Sequence, residues 1–103
     1  MELLSVEQID LDTNFIEVLF DGLFKEGFYV TTEFDYDVEI VEQEEEETNC
    51  KELKEPTNIY FSDFKTFDAE NEKININNRE LKKIKQLVEF KLIDILTDEI
   101  NNV

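Results

Sequence analysis

The stretch that decides the fold runs from Phe28 to Ile40 and reads Phe-Tyr-Val-Thr-Thr-Glu-Phe-Asp-Tyr-Asp-Val-Glu-Ile. Successive side chains of a β-strand point to opposite faces, so residues of one parity share a face. Here the even positions are aromatic, aliphatic or threonine, whereas acids occupy the odd positions Glu33, Asp35, Asp37 and Glu39. This alternation predicts a half-buried strand of an antiparallel sheet, with one face on a core and the other in water.

Residues 15–24, just before this strand, fit two structures. In a strand their apolar residues alternate, and Lys25-Glu26-Gly27 closes a hairpin because glycine readily takes positive φ. In a short helix Asn14 is the N-cap and Glu17 lies three residues after it. The short glycine-containing link favours the strand. Residues 1–12 are compatible with a short strand or a helical turn.

The chain ends in a predicted helix from about Asn78 to Ile100. Apolar residues recur there at helical spacing, and no glycine or proline interrupts them. Asn77 is a suitable N-cap, and Glu80 stands at the N3 position, where it completes a capping pattern.

The region between the central strand and the helix is mixed. Residues 42–56 are rich in acids and poor in apolar side chains, which predicts an exposed, mobile acidic loop. Residues 57–67 predict another strand, and Ile74 and Ile76 predict a further short one. We therefore expect a single α+β domain, 1–103, in which a small antiparallel sheet of three or four strands packs against one long C-terminal helix.

The charge is strongly negative and unevenly distributed. The net charge is -17; residues 1–72 hold 22 acids and four bases, and residues 73–103 hold five acids and six bases. Repulsion disfavours direct contact with nucleic acid or an anionic membrane, so a basic protein surface is the expected partner. The first residues lack the basic and apolar pattern of a signal peptide, and cytoplasm is the expected location.

Enzyme chemistry is not indicated. The chain has no histidine, which removes the commonest general base and a common zinc ligand. Its two glycines cannot form a glycine-rich phosphate loop. The single cysteine, Cys50, lies among acids that raise a thiol pKa and blunt its nucleophilicity. We expect no catalytic residue and no cofactor.

One arrangement of acids resembles a calcium loop. Asp10, Asp12 and Asn14 match positions one, three and five of an EF-hand, and Asp21 falls at position twelve. However, Phe15 stands where the turn requires glycine, and position twelve normally holds a bidentate glutamate. No metal site is therefore predicted.

The odd-numbered acids of the central strand suggest a binding role. Alternate residues on a strand lie roughly 6.6–6.8 Å apart, comparable to the path between successive DNA phosphates, whose axial rise is about 3.4 Å. Such a row can imitate a phosphate backbone for a basic, nucleic-acid-binding protein, although solvation of an exposed strand face also explains it. The candidate partner-binding residues are Glu17, Asp21, Glu33, Asp35, Asp37, Glu39, Glu44, Glu45, Glu46 and Glu47.

The helix suggests a different partner. Phe90, Ile93 and Leu96 lie partly off its apolar stripe, beyond what a single core requires. These residues could serve a homodimer or a partner groove. The alternative function is therefore a structural or assembly protein that associates with itself.

The order of elements from residue 28 to 100 resembles small acidic phage-type proteins. The resemblance rests on the strand Phe34-Asp35-Tyr36-Asp37-Val38-Glu39-Ile40, a variable loop, and a closing helix with Leu81 and Ile84. It implies a phage or mobile-element origin. Acidic DNA mimics that inhibit host proteins, and virion components, are both known in that setting. The expected function is non-catalytic inhibition or sequestration of a basic protein.

Overall fold

The computed structural model describes residues 1–22, 27–46 and 49–101, and the side chains of these residues outside 41–53. Within them, the elements in chain order are β1 (Glu2–Asp10), β2 (Phe15–Asp21), β3 (Phe28–Glu46), β4 (Asn49–Asp68) and α1 (Asn78–Asn101). The strands form one antiparallel sheet in the order β1-β2-β3-β4. The predicted α+β fold, a small antiparallel sheet with one long C-terminal helix, is confirmed.

The segment with two interpretations, β2, is a strand. Its residue Phe20 pairs with Phe28 of β3, so the two strands form the predicted antiparallel hairpin. Gly27 has a φ of 77°, which lies in the left-handed region that favours glycine. Residues 23–26, the rest of the predicted turn, lie outside the described residues.

The core lies between one face of the sheet and α1. Even-numbered residues of β2 and β3 supply the sheet side, as period-two alternation predicts, and residues four apart on α1 supply the helix side. Phe20 and Phe28 stack with their ring centroids 5.2 Å apart. The buried apolar residues are Ile16, Val18, Phe20, Phe28, Val30, Phe34, Ile84, Val88, Leu92 and Leu96.

The prediction of an acidic loop at 42–56 is wrong where the structure describes this segment. Residues 42–46 belong to β3 and residues 49–56 belong to β4, and the two strands stay paired to Glu46↔Asn49. Ladder hydrogen bonds join backbone groups, so a hairpin already in register can extend through residues that bury no side chain. Pro56 does not prevent this, because β4 is an edge strand and can lack one N–H donor.

The tertiary structure also decides the conformation of two shorter segments. The undecided N-terminus forms β1, whose Leu3, Val6 and Ile9 pack against the core. The predicted short strand at Ile74 and Ile76 is wrong. Only Lys73 makes an isolated bridge, to Phe67, and both isoleucines pack against the core from an irregular segment.

The predicted helix from Asn78 to Ile100 is confirmed to within one residue, and an asparagine side chain satisfies backbone groups at each end. Asn77 Oδ1 accepts the Glu80 N–H at 2.9 Å, which is the predicted N-cap bond. At the other end, Asn101 Oδ1 accepts the Lys54 N–H at 3.0 Å, and its Nδ2 donates to the Lys54 carbonyl at 2.8 Å. This side chain thereby fastens the helix end to the edge strand β4.

Candidate functional site

The four central acids form one exposed row on the sheet face opposite the core. Glu33, Asp35, Asp37 and Glu39, here called the acidic row, are all exposed, whereas Thr32 and Phe34, of the opposite parity, are buried. The predicted parity is therefore correct. Along its whole length the row is paired with one strand, β4. The residues of β4 opposite the four acids are Ser62, Tyr60, Asn58 and Glu55.

The acidic row begins where the four-stranded sheet narrows to two strands. β2 pairs with β3 only as far as Phe15↔Glu33, and from there β3 pairs with β4 alone. The hairpin continues as a ribbon and contributes to a molecule of 57 × 24 × 21 Å. The N–H of Phe34 still donates to the Asn14 carbonyl, at 2.9 Å. Among the described residues, no strand pairs with the β2 side of β3 beyond that point, so a partner can reach Asp35 and its successors from the front and from one side.

The other predicted binding residues are not all gathered at this row. Glu17 is half-buried opposite Thr31, close to the start of the row. Asp21 is exposed but lies six residues further along β2 than Phe15, which corresponds to roughly 20 Å from Glu33. The backbone of Glu44–Glu46 continues β3 beyond the row. Glu47 lies outside the described residues.

Among the side chains that the structure describes, no cation is ion-paired with the acidic row. The ion pairs found among the described residues are Lys65–Asp63, at 3.4 Å, and Lys83–Glu80, at 4.0 Å, and neither includes a member of the row. Glu39 faces another acid, Glu55, directly across the ribbon. Like charges at opposed positions of a sheet are destabilising, so this pair costs stability instead of adding to it.

Asp37 differs from the rest of the acidic row because β4 holds its carboxylate. The Tyr60 hydroxyl and the Asn58 amide both donate to Asp37 Oδ2, at 3.0 Å and 3.1 Å. Tyr60 is 55% exposed, so an aromatic ring lies at the surface beside the acids. Sequence reasoning missed Asn58 and Tyr60 as parts of this face. Their matching parity on β4 was the available signal, but the register between the strands was unknown.

The hydrogen bond to Asp37, and secondarily its negative charge, raise the pKa of the Tyr60 phenol. Removing the acceptor in Asp37→Ala should therefore lower that pKa, so that one of the three tyrosines forms tyrosinate at lower pH in an ultraviolet absorbance titration. Asp35→Ala is the matched control, because Asp35 is paired with Tyr60 across the strands without accepting this bond. An equal shift in both variants would contradict the assignment to Asp37.

The sign of the pH dependence follows from the raised pKa. A phenol that holds its proton more tightly in the folded chain stabilises the fold fully below its unfolded pKa, near 10. That contribution disappears as pH rises through the higher pKa of the folded state. Asp37→Ala should therefore remove a small stabilisation that is present at neutral pH and absent in strong alkali.

Removing one of the opposed glutamates should stabilise the protein. We expect Glu39→Gln to raise the free energy of unfolding by about 0.2–1 kcal/mol, because it relieves the repulsion with Glu55. Glu33→Gln, whose opposing residue is Ser62, is the control and should gain less. Urea denaturation at low salt measures both, and the gain should shrink in 1 M salt, where the screening length is about 3 Å. A Glu39→Gln variant no more stable than the parent would show that the two carboxylates avoid each other.

Three of the four EF-hand-like residues, Asp10, Asp12 and Asn14, lie at the hairpin turn between β1 and β2, whereas Asp21 is the last residue of β2. Asp10 Oδ1 accepts the N–H groups of Asp12 and Thr13, at 2.9 Å and 3.3 Å, and Asn14 has a φ of 53°. Asp10 thus organises the β1–β2 turn, and β2 begins at Phe15. Among the residues that the structure describes, no group of three or more acidic, cysteine or histidine side chains is arranged to hold a metal ion.

Comparison with other proteins adds no relative. No protein-family model matches this chain, and no curated protein or solved structure is significantly similar to it. In the described part of the chain, no helix combines the length and apolar character needed to cross a membrane. The observations that bear on function are therefore the burial, register and charge of the chain's own residues.

Proposed function

We propose that this protein is a non-catalytic binding protein whose acidic row engages the basic surface of another protein, of the kind that otherwise holds nucleic acid. The observation that carries the proposal is a row of four exposed carboxylates that no described cation neutralises. Solubility alone needs no pair of opposed acids such as Glu39 and Glu55. A basic partner removes the repulsion that this pair causes in the free protein.

The spacing of the acidic row suits a surface that binds a phosphate backbone. Four alternate residues on a strand extend over about 20 Å, and the distance of roughly 6.6–6.8 Å between neighbours is comparable to the path between successive phosphates of one DNA strand. The ribbon holds these acids at regular intervals, and two hydrogen bonds orient Asp37. A preorganised row loses less side-chain entropy on binding than charges on a flexible segment would.

The face also offers contacts that are not ionic. Arginine side chains stack on aromatic rings and pair with carboxylates, and Tyr60 places such a ring between Asp35 and Asp37. A partner rich in arginine therefore fits this surface better than one rich in lysine. We propose that the protein is encoded by a phage or mobile element and that it inhibits a DNA-binding protein of the host.

Competition with DNA tests the proposal. The immobilised protein is exposed to a DNase-treated bacterial extract at low salt, washed, and eluted first with duplex DNA and then with salt. We expect DNA-binding proteins to be retained, to be displaced by duplex DNA, and to dissociate at high ionic strength because screening weakens the charge contacts. Retained proteins that resist both DNA and salt, or the absence of any retained protein, would reject the proposal.

A further inference from the structure

Along the exposed surface of α1, basic residues lie near the start and acidic residues near the end, which is the opposite of what the helix dipole favours. Anions stabilise the first turn of a helix and cations the last, because of the helix dipole. On α1, exposed Arg79 lies in the first turn, whereas exposed Asp98 and Glu99 lie near the end and the last turn contains no basic residue. Only Glu80 follows the preference. The grading from positive to negative along the helix therefore has another origin.

An apolar patch lies at the middle of this graded surface. Phe90 is 58% exposed and Leu4, on the edge strand β1, is 51% exposed. Together with Leu87 they line a groove of about 270 Å³ between α1 and β1. Of the three residues that the sequence suggested for a dimer, Phe90 is therefore the one that is exposed in the folded chain. Leu96 is buried in the core, and Ile93 is half-buried.

The order of charged and apolar residues along this surface fits a second copy of the same surface. When two copies of a helix pack antiparallel about a two-fold axis, a residue of one copy lies level with a residue of the other wherever their two numbers add up to the same constant. The position of the axis along the helix sets that constant. If it is 177, Phe90 of one copy lies level with Leu87 of the other. In the same register Lys83 lies level with Asp94, and Arg79 with Asp98. Each of these contacts occurs twice because of the symmetry.

We propose that the protein forms an antiparallel two-fold dimer through the exposed face of α1, with Phe90 of each copy packed on Leu87 and Leu4 of the other. The paired ends of the two helices then bring basic residues against acidic ones. A second copy is the occupant of the groove because it supplies both the apolar residue and the matching charges.

The overall charge favours this arrangement over other ways of joining two copies. Each chain carries -17, so most of its surface repels a second copy. The acidic row lies on the sheet face opposite α1, and a dimer through α1 therefore keeps the two rows far apart. Both sheet edges are also interrupted by bulges, at Leu4 and Glu7 in β1 and near Asp63 and Thr57 in β4, which discourages strand-to-strand pairing. This inference does not depend on the proposed basic partner.

Sedimentation velocity over a wide concentration range tests the dimer at physiological salt. We expect the unmodified protein to shift from monomer to dimer as its concentration rises. Phe90→Asp should remain a monomer throughout, and its fold should be unchanged because Phe90 is exposed. Lys83→Glu should weaken the dimer at least about tenfold, since it sets two acids against each other in both halves of the interface. Circular dichroism confirms that each variant is folded.

A charge exchange tests the register. Asp94→Lys alone should weaken the dimer as Lys83→Glu does, whereas the double variant Lys83→Glu with Asp94→Lys should restore it. Failure of the double variant to recover would overturn the antiparallel register. A monomeric unmodified protein, or a dimer that survives Phe90→Asp, would overturn the proposal as a whole.

Discussion

Replacing Phe20 with alanine is expected to lower the free energy of unfolding by about 3–5 kcal/mol. Phe20 is completely buried, pairs across the strands with Phe28, and stacks on that ring at a centroid distance of 5.2 Å. The substitution removes the buried apolar area of one ring and leaves a cavity beside the other. Small domains typically have only about 5–15 kcal/mol of stability, so this loss leaves a marginal fold.

Urea denaturation followed by circular dichroism measures this loss. Leu11→Ala, in the exposed turn between β1 and β2, is a suitable control and should change stability by less than about 0.5 kcal/mol. A loss below about 1 kcal/mol for Phe20→Ala would mean that the core closes around the missing ring. It would contradict close packing between Phe20 and Phe28.

Reversing two charges of the acidic row should abolish retention of the basic partner. The substitutions are Asp35→Lys and Glu39→Lys, which leave Asp37 and its bonds to Tyr60 and Asn58 in place. Glu39→Lys also replaces the repulsion with Glu55 by an attraction across the ribbon, so the variant should be at least as stable as the parent. Loss of binding could then not be attributed to unfolding.

The control for this variant has the same net charge on a different surface. Each replacement of an acid by lysine adds two charges, so both double variants change the net charge from -17 to -13. Glu70→Lys with Glu72→Lys places this change in the exposed connection between β4 and α1. We expect this control to retain the partner at low salt. Equal loss in both variants would show that total charge, and not the acidic row, controls binding.

The candidate face was predictable in part, for a physical reason that its residues make clear. The alternation from Phe28 to Ile40 specified which acids share a face, because parity along a strand is a local property. Which residues stand beside them depends on strand register, and the residues opposite the acidic row are 16 or more positions away along the chain. The bonds from Asn58 and Tyr60 to Asp37, and the repulsion between Glu39 and Glu55, therefore emerged only in the folded chain.

The same division separates the helix from its surface. Spacing of apolar residues and the Asn77 cap were sufficient to predict α1 almost to the residue, because both depend on neighbours within one or two turns. The sequence did not distinguish Leu96, which is buried, from Phe90, which is exposed. That difference depends on where the helix axis crosses the sheet.

The sequence by itself determined the class of the fold, the central strand, the helix with its cap, and the excess of acids in the first two thirds of the chain. All of these follow from periodicity or composition, which depend only on residues that are close together in the sequence. Only the tertiary structure decided that residues 15–21 are a strand, that the acid-rich stretch after Ile40 is paired in β3 and β4, and which apolar side chains remain exposed. These features depend on backbone pairing and packing between distant segments. The residue pattern of one segment does not specify the segment with which it pairs or packs.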